Sequence, residues 1–366
     1  MRARNVLIGL ASLGFVGCGF ANNGDDDGNG SDAGSNAPGP CVLPDLGLTA
    51  GTLSGCSDAG TTDGPRGTAK FNNPVNVAIG PSGVAYVVDF DSSLLRKVDP
   101  NGNVTTIFAD PRFNRPFGII IAPDGWLWVE CDDDVNAVHG NTSGTIWKIN
   151  PADPTGAVPV FQGLMRPRGL AWMNGKLAIS DYLSMEIKIG DPTTGAAAVL
   201  AGAYGIATSV DGTGTGATFD VPWDIVVDPT DANYLLVTDW GDHSIRRVGL
   251  DGTVTTWAGA AGMAGSTDGA LAVARFNNPK GLTVHGQTIY VTDSTNHTIR
   301  KIENNIVSTI SGKVDGGYHD DVDPMAAQYY GIEGLDVSQD GTRLVIADGN
   351  NGDGSHFNHI RVLTLP

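Results

Sequence analysis

The 366-residue chain has little positive charge and no long hydrophobic segment. Lys and Arg number 22 against 40 Asp and Glu, which gives a net charge of −18. Because a nucleic-acid backbone repels such a surface, this balance argues against nucleic-acid binding. No apolar run reaches the roughly 18 residues of a membrane-spanning helix. The sequence also lacks Gly-x-Ser-x-Gly, His-Glu-x-x-His and Gly-Lys-Ser/Thr motifs, which argues against the enzyme classes built on them.

Glycine, in contrast, is abundant. It accounts for 51 residues, about twice its usual share of about 7%. Apolar residues make up 41% of the chain, which is enough to build a core and excludes global disorder. This composition favours many short strands joined by turns.

The first 18 residues are typical of an export signal. Arg2 and Arg4 precede the apolar run 6–16, which is followed by Gly17 and Cys18. This order predicts a signal peptide over residues 1–17. The sequence Phe-Val-Gly-Cys at 15–18 resembles the lipobox of bacterial lipoproteins. The resemblance implies lipidation of Cys18 and anchoring at the bacterial cell envelope, in the outer membrane or facing the periplasm. An ordinary signal peptide cleaved nearby is the alternative.

The following segment cannot form a core. Residues 18–40 are rich in Asn, Gly, Asp, Ser and Pro, which predicts a flexible acidic tether ahead of one domain over 41–366. An exported protein can hold a disulfide. Cys41 and Cys56 are the nearest pair, but a predicted strand between them would separate them, so both states remain open. Cys131 is expected to be a buried free thiol.

One motif recurs six times along the domain. Phe-Asn-Asn-Pro at 71–74 returns at 276–279, and four looser copies lie elsewhere. The anchor positions, 42 to 57 residues apart, are Pro74, Pro116, Pro167, Pro222, Pro279 and Ile332. Each opens a series of short segments rich in β-branched and aromatic residues, separated by Gly and Pro, which predicts strands. Six units of four strands predict an all-β, six-bladed β-propeller. A β-solenoid is the alternative, but its repeats are shorter.

The ends of the domain predict how the ring closes. The sixth unit contains only three strands, the last at 359–363. Residues 46–51 resemble the ends of fourth strands such as 256–259. We therefore expect an N-terminal strand to complete the last blade, which removes an exposed sheet edge.

The third strands carry the most specific pattern. Asn296-His297-Thr298-Ile299-Arg300 resembles the Asn-His-x-Ile-Arg signature of NHL repeats, and Asp242-His243 begins a second copy. The resemblance covers about 45–366 and implies a six-bladed propeller. Related propellers act as binding platforms, sensors, RNA binders, lyases or lactonases, so the fold alone does not assign the function. The second unit departs from the pattern, with Cys131 at the acid position and an insertion up to Thr145.

Residues that recur between units have a structural interpretation. His243 and His297 occupy equivalent positions, for which we expect turn contacts. An acid ends the second strand of five units, and we expect it to accept backbone N–H bonds in the following turn. These acids are Asp89, Asp181, Asp239, Asp293 and Asp348.

Residues that differ between units are the candidate site. Two positions after the anchors stand Asn76, Asp224 and four glycines, with Glu333 one residue away in the last unit. Asn76, Asp224 and Glu333 around a channel are similar to the calcium site of the gluconolactonase and senescence-marker families. The resemblance implies Ca²⁺, an oxygen-ligated cation that can polarise a lactone or ester. Hydrogen bonding at the strand starts is the alternative.

Two insertions offer further candidates. Asp132, Asp134 and Asn136 have the alternate spacing of a calcium loop, but Ala137 and Ser143 exclude an EF-hand, leaving a loose cation site or a solvated loop. Residues 349–358 form the second insertion, and such loops often provide a binding surface.

Taken together, the sequence predicts a binding or scaffold module for a protein, peptide or glycan. It predicts no nucleic-acid partner and membrane contact only through the lipid. The alternative is a metal-dependent lactonase or lyase at the central channel, with catalytic residues unknown.

Overall fold

Short antiparallel strands form nearly all the regular structure of the chain. The computed structural model describes residues 43, 47–354 and 356–366. The predicted signal peptide, Cys18, the tether and Cys41 lie outside these residues. Within the described part, no helix has the length and hydropathy to span a membrane.

The strands group into six sheets, one for each predicted unit. The first three blades contain β2 (Pro74–Ile79), β3 (Ala85–Asp89), β4 (Leu94–Val98) and β5 (Val104–Phe108); β6 (Pro116–Ile121), β7 (Leu127–Cys131), β8 (Gly144–Ile149) and β9 (Val158–Leu164); and β10 (Pro167–Met173), β11 (Lys176–Asp181), β12 (Glu186–Asp191) and β13 (Ala196–Gly202).

The last three blades follow the same plan, and two of them gain a short fifth strand. They contain β14 (Gly212–Thr213), β15 (Pro222–Val227), β16 (Tyr234–Asp239), β17 (Ser244–Gly249) and β18 (Thr253–Gly259); β19 (Gly269–Ala270), β20 (Pro279–His285), β21 (Thr288–Asp293), β22 (Thr298–Glu303) and β23 (Ile306–Gly312); and β24 (Gly331–Val337), β25 (Arg343–Gly349), β26 (His359–Thr364) and β1 (Ala50–Ser54). The predicted all-β, six-bladed propeller is confirmed, with two blades of five strands rather than four.

The hydrophobic core lies between neighbouring blades. One cluster joins Val77 and Val87 of blade 1 to Val345 and Ile360 of blade 6, and similar clusters join other neighbours. Aromatic residues three positions before the anchors are completely buried, namely Phe71, Phe113, Phe219, Phe276 and Tyr329. Strands with alternating apolar residues therefore pack face to face around the ring.

A buried arginine lies at the centre of four blades. Each of these side chains is fully buried and pairs with the acid that ends the neighbouring second strand. The pairs are Asp89–Arg96 at 3.1 Å, Asp239–Arg246 at 3.1 Å, Asp293–Arg300 at 2.6 Å and Asp348–Arg361 at 2.9 Å. Each arginine also pairs with a second acid in the loop that precedes the first strand of its blade. These acids are Asp63, Asp211, Asp268 and Asp320.

The recurring acids have a different hydrogen-bond partner from the one predicted. They accept backbone N–H bonds, but from the segment before the first strand rather than from the following turn. Asn72 N–H, for example, donates to Asp89 at 2.7 Å, and Asn277 N–H donates to Asp293 at 2.7 Å. His243 and His297 lie in turns, where both adopt left-handed conformations, and the ring of each forms a hydrogen bond with the backbone of the next blade.

Blade 2 replaces this ionic pair with an apolar one. Cys131 occupies the acid position and is buried and free, and Trp147 occupies the arginine position. The Trp147 ring packs edge-on against Phe113 at 5.8 Å. Since both partners change together, no unpaired charge is buried.

The N-terminal strand completes blade 6, but in a different register from the one predicted. β1 pairs with β26, with Thr52 opposite Arg361 and Ser54 opposite Ile360. Gly55, at φ 97°, therefore takes the strand-end place of Gly259 and Gly312. The prediction over 46–51 put Gly51 in this strand-end place, four residues before Gly55. The two glycines follow similar residues, so the sequence alone does not distinguish them. Cys56 is disulfide-bonded; Cys41 lies outside the described residues, and its pairing with Cys56 stays a prediction.

The buried pairs give a test of stability. Arg300→Met leaves the buried Asp293 carboxylate without its cation, and we expect a loss of about 3–5 kcal/mol in the free energy of unfolding, measured by urea denaturation. Arg112→Met, at the exposed pair with Asp110, is the control and should have a small effect. Equal losses in the two variants would contradict this role of Arg300.

Candidate functional site

The six first strands, β2, β6, β10, β15, β20 and β24, surround a central channel. We call the end at which these strands begin the upper face and the end at which they turn into the second strands the lower face. The loops between second and third strands also lie on the upper face, because the strands are antiparallel. Both predicted insertions, 132–143 and 349–358, fall in these loops.

Six different residue types stand one position after the anchors, at the upper end of the channel. They are Val75, Phe117, Arg168, Trp223, Lys280 and Glu333, and we call them the mouth ring. The Arg168 guanidinium lies 4.1 Å from the Phe117 ring centroid and 5.7 Å from that of Trp223. Lys280 Nζ lies 5.1 Å from the Trp223 ring and 2.8 Å from Glu333 Oε1. Five members of the ring therefore form one connected set of aromatic and charged groups.

Arg168 is held by the acids of blade 2. It donates to both oxygens of Asp132, at 2.6 and 3.2 Å, and lies 3.5 Å from Glu130. Burial acts to raise the pKa of Asp132, but the charge and hydrogen bonds of Arg168, together with the charges of Arg166 and His139, lower it below its usual value. Burial raises the pKa of Glu130 well above its usual value, although Arg168 opposes this shift. The arginine is thus fixed and neutralised before any ligand arrives.

Hydroxyl groups tie neighbouring blades together at the mouth ring. A Ser or Thr of the second strand receives an N–H bond from its own first strand and donates to the first-strand carbonyl of the next blade. The donor and acceptor residues are Ser180 to Trp223, Thr238 to Lys280 and Thr292 to Glu333. Glu130 takes this position in blade 2, where it accepts Gly118 N–H at 3.1 Å. The backbone of the ring is therefore fixed between neighbouring blades from blade 3 to blade 6.

Half-buried aromatic rings surround the mouth ring on the upper face. Trp223 packs against Tyr182 at 5.5 Å and against Trp240 at 6.0 Å. Tyr330 stacks on Phe357 of the second insertion at 4.2 Å. Aromatic walls with a few fixed polar groups are typical of ligand sites.

A cavity of about 320 Å³ opens beside the ring. Its lining includes Trp240, Lys280, Thr295, Tyr330 and Asn351. Asn351 belongs to the second insertion, so that loop contributes to a cavity wall.

A second cavity, of about 450 Å³, occupies the lower part of the channel and contains Asn76, Asp224 and Asp336. Asp224 accepts N–H bonds from Ile225 and, across to the next blade, from Leu282, both at 2.8 Å. The channel-facing edge of each first strand has no partner strand, so its N–H groups need other acceptors. The side chains provide them, which is the strand-start hydrogen bonding considered as the alternative to a metal.

The structure does not bring the three predicted calcium ligands together. Asn76 and Asp224 line the lower cavity, whereas Glu333 belongs to the mouth ring and pairs with Lys280. Asp336, the second carboxylate of the cavity, was missed because it lies four positions after its anchor. Among the described residues, no group of three or more His, Cys, Asp or Glu is arranged to hold a metal. The calcium site stays a prediction.

The predicted loop ligands are also separated in their contacts. Asp132 accepts hydrogen bonds from Arg168, whereas Asp134 accepts the N–H groups of Asn136 and Val138 in its own turn, at 2.8 and 2.9 Å.

The sequence analysis did not identify the mouth ring as a site. Its signal was nevertheless in the sequence, because the residue directly after the anchor differs in every unit.

Comparison with known proteins identifies an NHL repeat in blade 5. The NHL repeat model matches residues 276–302, which contain the first two strands of blade 5 and part of the third. NHL repeat-containing protein 2 of Homo sapiens is 25% identical over 313 residues, covering 70% of this chain and 42% of that protein. The Bos taurus protein of the same name is 33% identical over 130 residues, covering 32% and 18%. The chain is a six-bladed β-propeller that contains an NHL repeat. It spans less than half the length of these relatives.

Solved structures share the fold of this NHL propeller at low sequence identity. An auxiliary nutrient binding protein from Bacteroides thetaiotaomicron has a TM-score of 0.66 and 18% identity, over 86% of this chain and 75% of that one. A virginiamycin B lyase from Staphylococcus aureus has a TM-score of 0.52 and 13% identity, over 81% and 96%. These likenesses describe the propeller architecture.

The lower cavity of the NHL propeller predicts a pH dependence. Burial raises the pKa of Asp224 from 3.8 to about 7, against the opposing N–H bonds from Leu282 and Ile225. The folded state therefore binds this proton more tightly than the unfolded chain does. The resulting stabilisation is complete below the unfolded pKa and is lost as the pH rises through about 7.

We expect Asp224→Asn to abolish this contribution, since the amide does not titrate. The unfolding free energy of the wild type, relative to the variant, should fall between pH 4 and 7 in urea denaturation series. Asp134→Asn is the control, because backbone N–H bonds from Val138 and Asn136 lower the pKa of Asp134, so the difference between wild type and this variant should be nearly constant above about pH 4 and fall only at lower pH. A difference between wild type and Asp224→Asn that does not vary with pH would refute the assignment.

Proposed function

We propose that this NHL propeller is a binding module whose ligand site is the mouth ring on the upper face. The observation that supports it most is the connected set Phe117, Arg168, Trp223, Lys280 and Glu333. The position directly after the anchors holds a different side chain in each blade.

The physical character of the ring fits recognition. Both cations are paired with carboxylates, so neither depends on a ligand for its charge balance. The backbone beneath the ring is cross-linked between blades, so a ligand would meet side chains already in place. Such pre-organisation lowers the entropic cost of binding. The ligand we propose is a small solute or the exposed end of a peptide, protein or glycan.

Trp223 gives the direct test, because it lies between Arg168 and Lys280 at the centre of the ring. We expect a thermal-shift screen of saccharides, amino acids and short peptides to find ligands, and Trp223→Ala to weaken them about tenfold or more, as for a buried aromatic hot spot. Calorimetry would measure the affinities.

Trp126→Ala is the matched control. Trp126 is also half-buried and lies under a lysine, with Lys148 Nζ 4.7 Å from its ring, but it stands in the turn between β6 and β7 on the lower face. A screen without ligands, or equal losses in the two variants, would reject the mouth ring as the site.

We also propose that the propeller is exported and held at the bacterial cell envelope by a lipid on Cys18. The supporting features are the basic and apolar residues before Cys18 and the polar segment 19–40, which would act as a spacer. A single acyl chain binds membranes only marginally, so stable anchoring requires more than one chain.

Metabolic labelling in a bacterial host with an alkyne fatty acid tests this anchor. We expect label and membrane association for the wild type and for Cys131→Ala, which removes the buried thiol. Both should be lost in Cys18→Ser, which removes the acceptor atom. An unlabelled wild-type protein in the soluble fraction would contradict the anchor.

A further inference from the structure

We propose that the cavity beside the mouth ring binds one ring of a neutral saccharide. This inference rests on the proposed function, because the cavity and the ring share Lys280. It adds the chemical class of the ligand and the residues that would select it.

Two aromatic side chains line the cavity, and each is held by a second aromatic ring. Trp240 packs on Trp223 at 6.0 Å with 32° between the planes. Tyr330 stacks on Phe357 at 4.2 Å with 17° between the planes. A pyranose presents a face of C–H groups that packs well on a flat, electron-rich aromatic surface. Because these rings are already fixed by their neighbours, little side-chain entropy would be lost on binding.

The polar groups of the cavity both donate and accept hydrogen bonds. Lys280 Nζ has three N–H donors and uses them on Glu333 Oε1 at 2.8 Å and Asn351 Oδ1 at 3.3 Å, which leaves one. Asn351 Oδ1 keeps a lone pair after it accepts this bond, so it can accept a second hydrogen bond. Glu333 is 8% exposed and is not among the residues that line the cavity; its part is to balance the charge of Lys280.

A pair of adjacent sugar hydroxyls matches these polar groups. One hydroxyl accepts the remaining Lys280 N–H, and its neighbour donates to the second lone pair of Asn351 Oδ1. The lysine and the glutamate cancel in charge, so a neutral ligand that donates and accepts fits better than a cation or an anion. The exposed Thr295 at the cavity wall is a further hydroxyl partner.

The size and lining of the cavity argue against an apolar peptide side chain. Its volume of about 320 Å³ lies at the lower end of ligand pockets, which range from about 300 to 1,000 Å³. It suits one or two small rings. The described residues that line it are all aromatic or hydrogen bonding, so an aliphatic side chain would find no aliphatic partner.

The test uses the whole protein and a panel of neutral and acidic mono- and disaccharides, followed by saturation-transfer NMR and calorimetry. We expect a neutral saccharide to bind, and Trp240→Ala to weaken it at least tenfold. Lys280→Met should weaken it by a similar factor, because the ammonium donor is lost. Trp240→Phe should stay within about threefold of the wild type, since it retains an aromatic face. Trp126→Ala is the control for tryptophan removal, and circular dichroism checks the fold of each variant.

Each result that contradicts the proposal would overturn a different part of it. Saccharide binding that survives Trp240→Ala would overturn the cavity as the site. Preferential binding of acidic sugars would overturn the charge argument. Binding of peptides but no saccharide, sensitive to Trp223→Ala, would overturn the saccharide inference and leave the proposed function intact. The absence of any ligand sensitive to Trp223→Ala would remove the proposed function itself.

Discussion

The buried arginine of the third strand is the interaction on which the rest of the structure depends. In four blades it joins the acid that ends the second strand to an acid in a neighbouring loop, and a buried charge is tolerated only with such partners. The second-strand acid in turn accepts N–H bonds from the residues just before the first strand, as Asp293 does from Asn277. The pair therefore fixes the height at which each first strand begins, and with it the level of the mouth ring.

The candidate site lies where this regular pattern is broken. Blade 2 replaces the ionic pair with Cys131 and Trp147, and the two acids that flank Cys131, Glu130 and Asp132, pair instead with Arg168 in the mouth ring. Local departures from a consistent pattern are expected at functional sites. The Asp–Arg pairs of four other blades provide rigidity, and the acids of the altered blade hold Arg168 of blade 3 at the channel mouth. Stability and recognition thus rest on different residues of the same repeat.

The sequence predicted what depends on local pattern and missed what depends on contacts between blades. The six units followed from anchors and short apolar segments, because period-two strands and Gly or Pro turns are local signals. The register of β1 was wrong because Gly51 and Gly55 follow similar residues, and only pairing with β26 distinguishes them. The sequence grouped Glu333 with Asn76 and Asp224, although Glu333 stands one position earlier on its strand than they do on theirs. This difference of one position changes which residues the side chain contacts. Its partner, Lys280, lies in the neighbouring blade.

The central claim is that ligands meet the upper face at the mouth ring, and site-resolved spectroscopy tests it directly. The protein contains seven tryptophans, among which Trp223 and Trp240 belong to the site and Trp126 lies on the lower face. Fluorotryptophan labelling, with each ¹⁹F resonance assigned by substitution, would report on all seven during titration with the saccharide and peptide panels. The account predicts shifts of the Trp223 and Trp240 resonances while that of Trp126 stays fixed. Shifts confined to Trp126, or no shift at Trp223 on ligand binding, would contradict it.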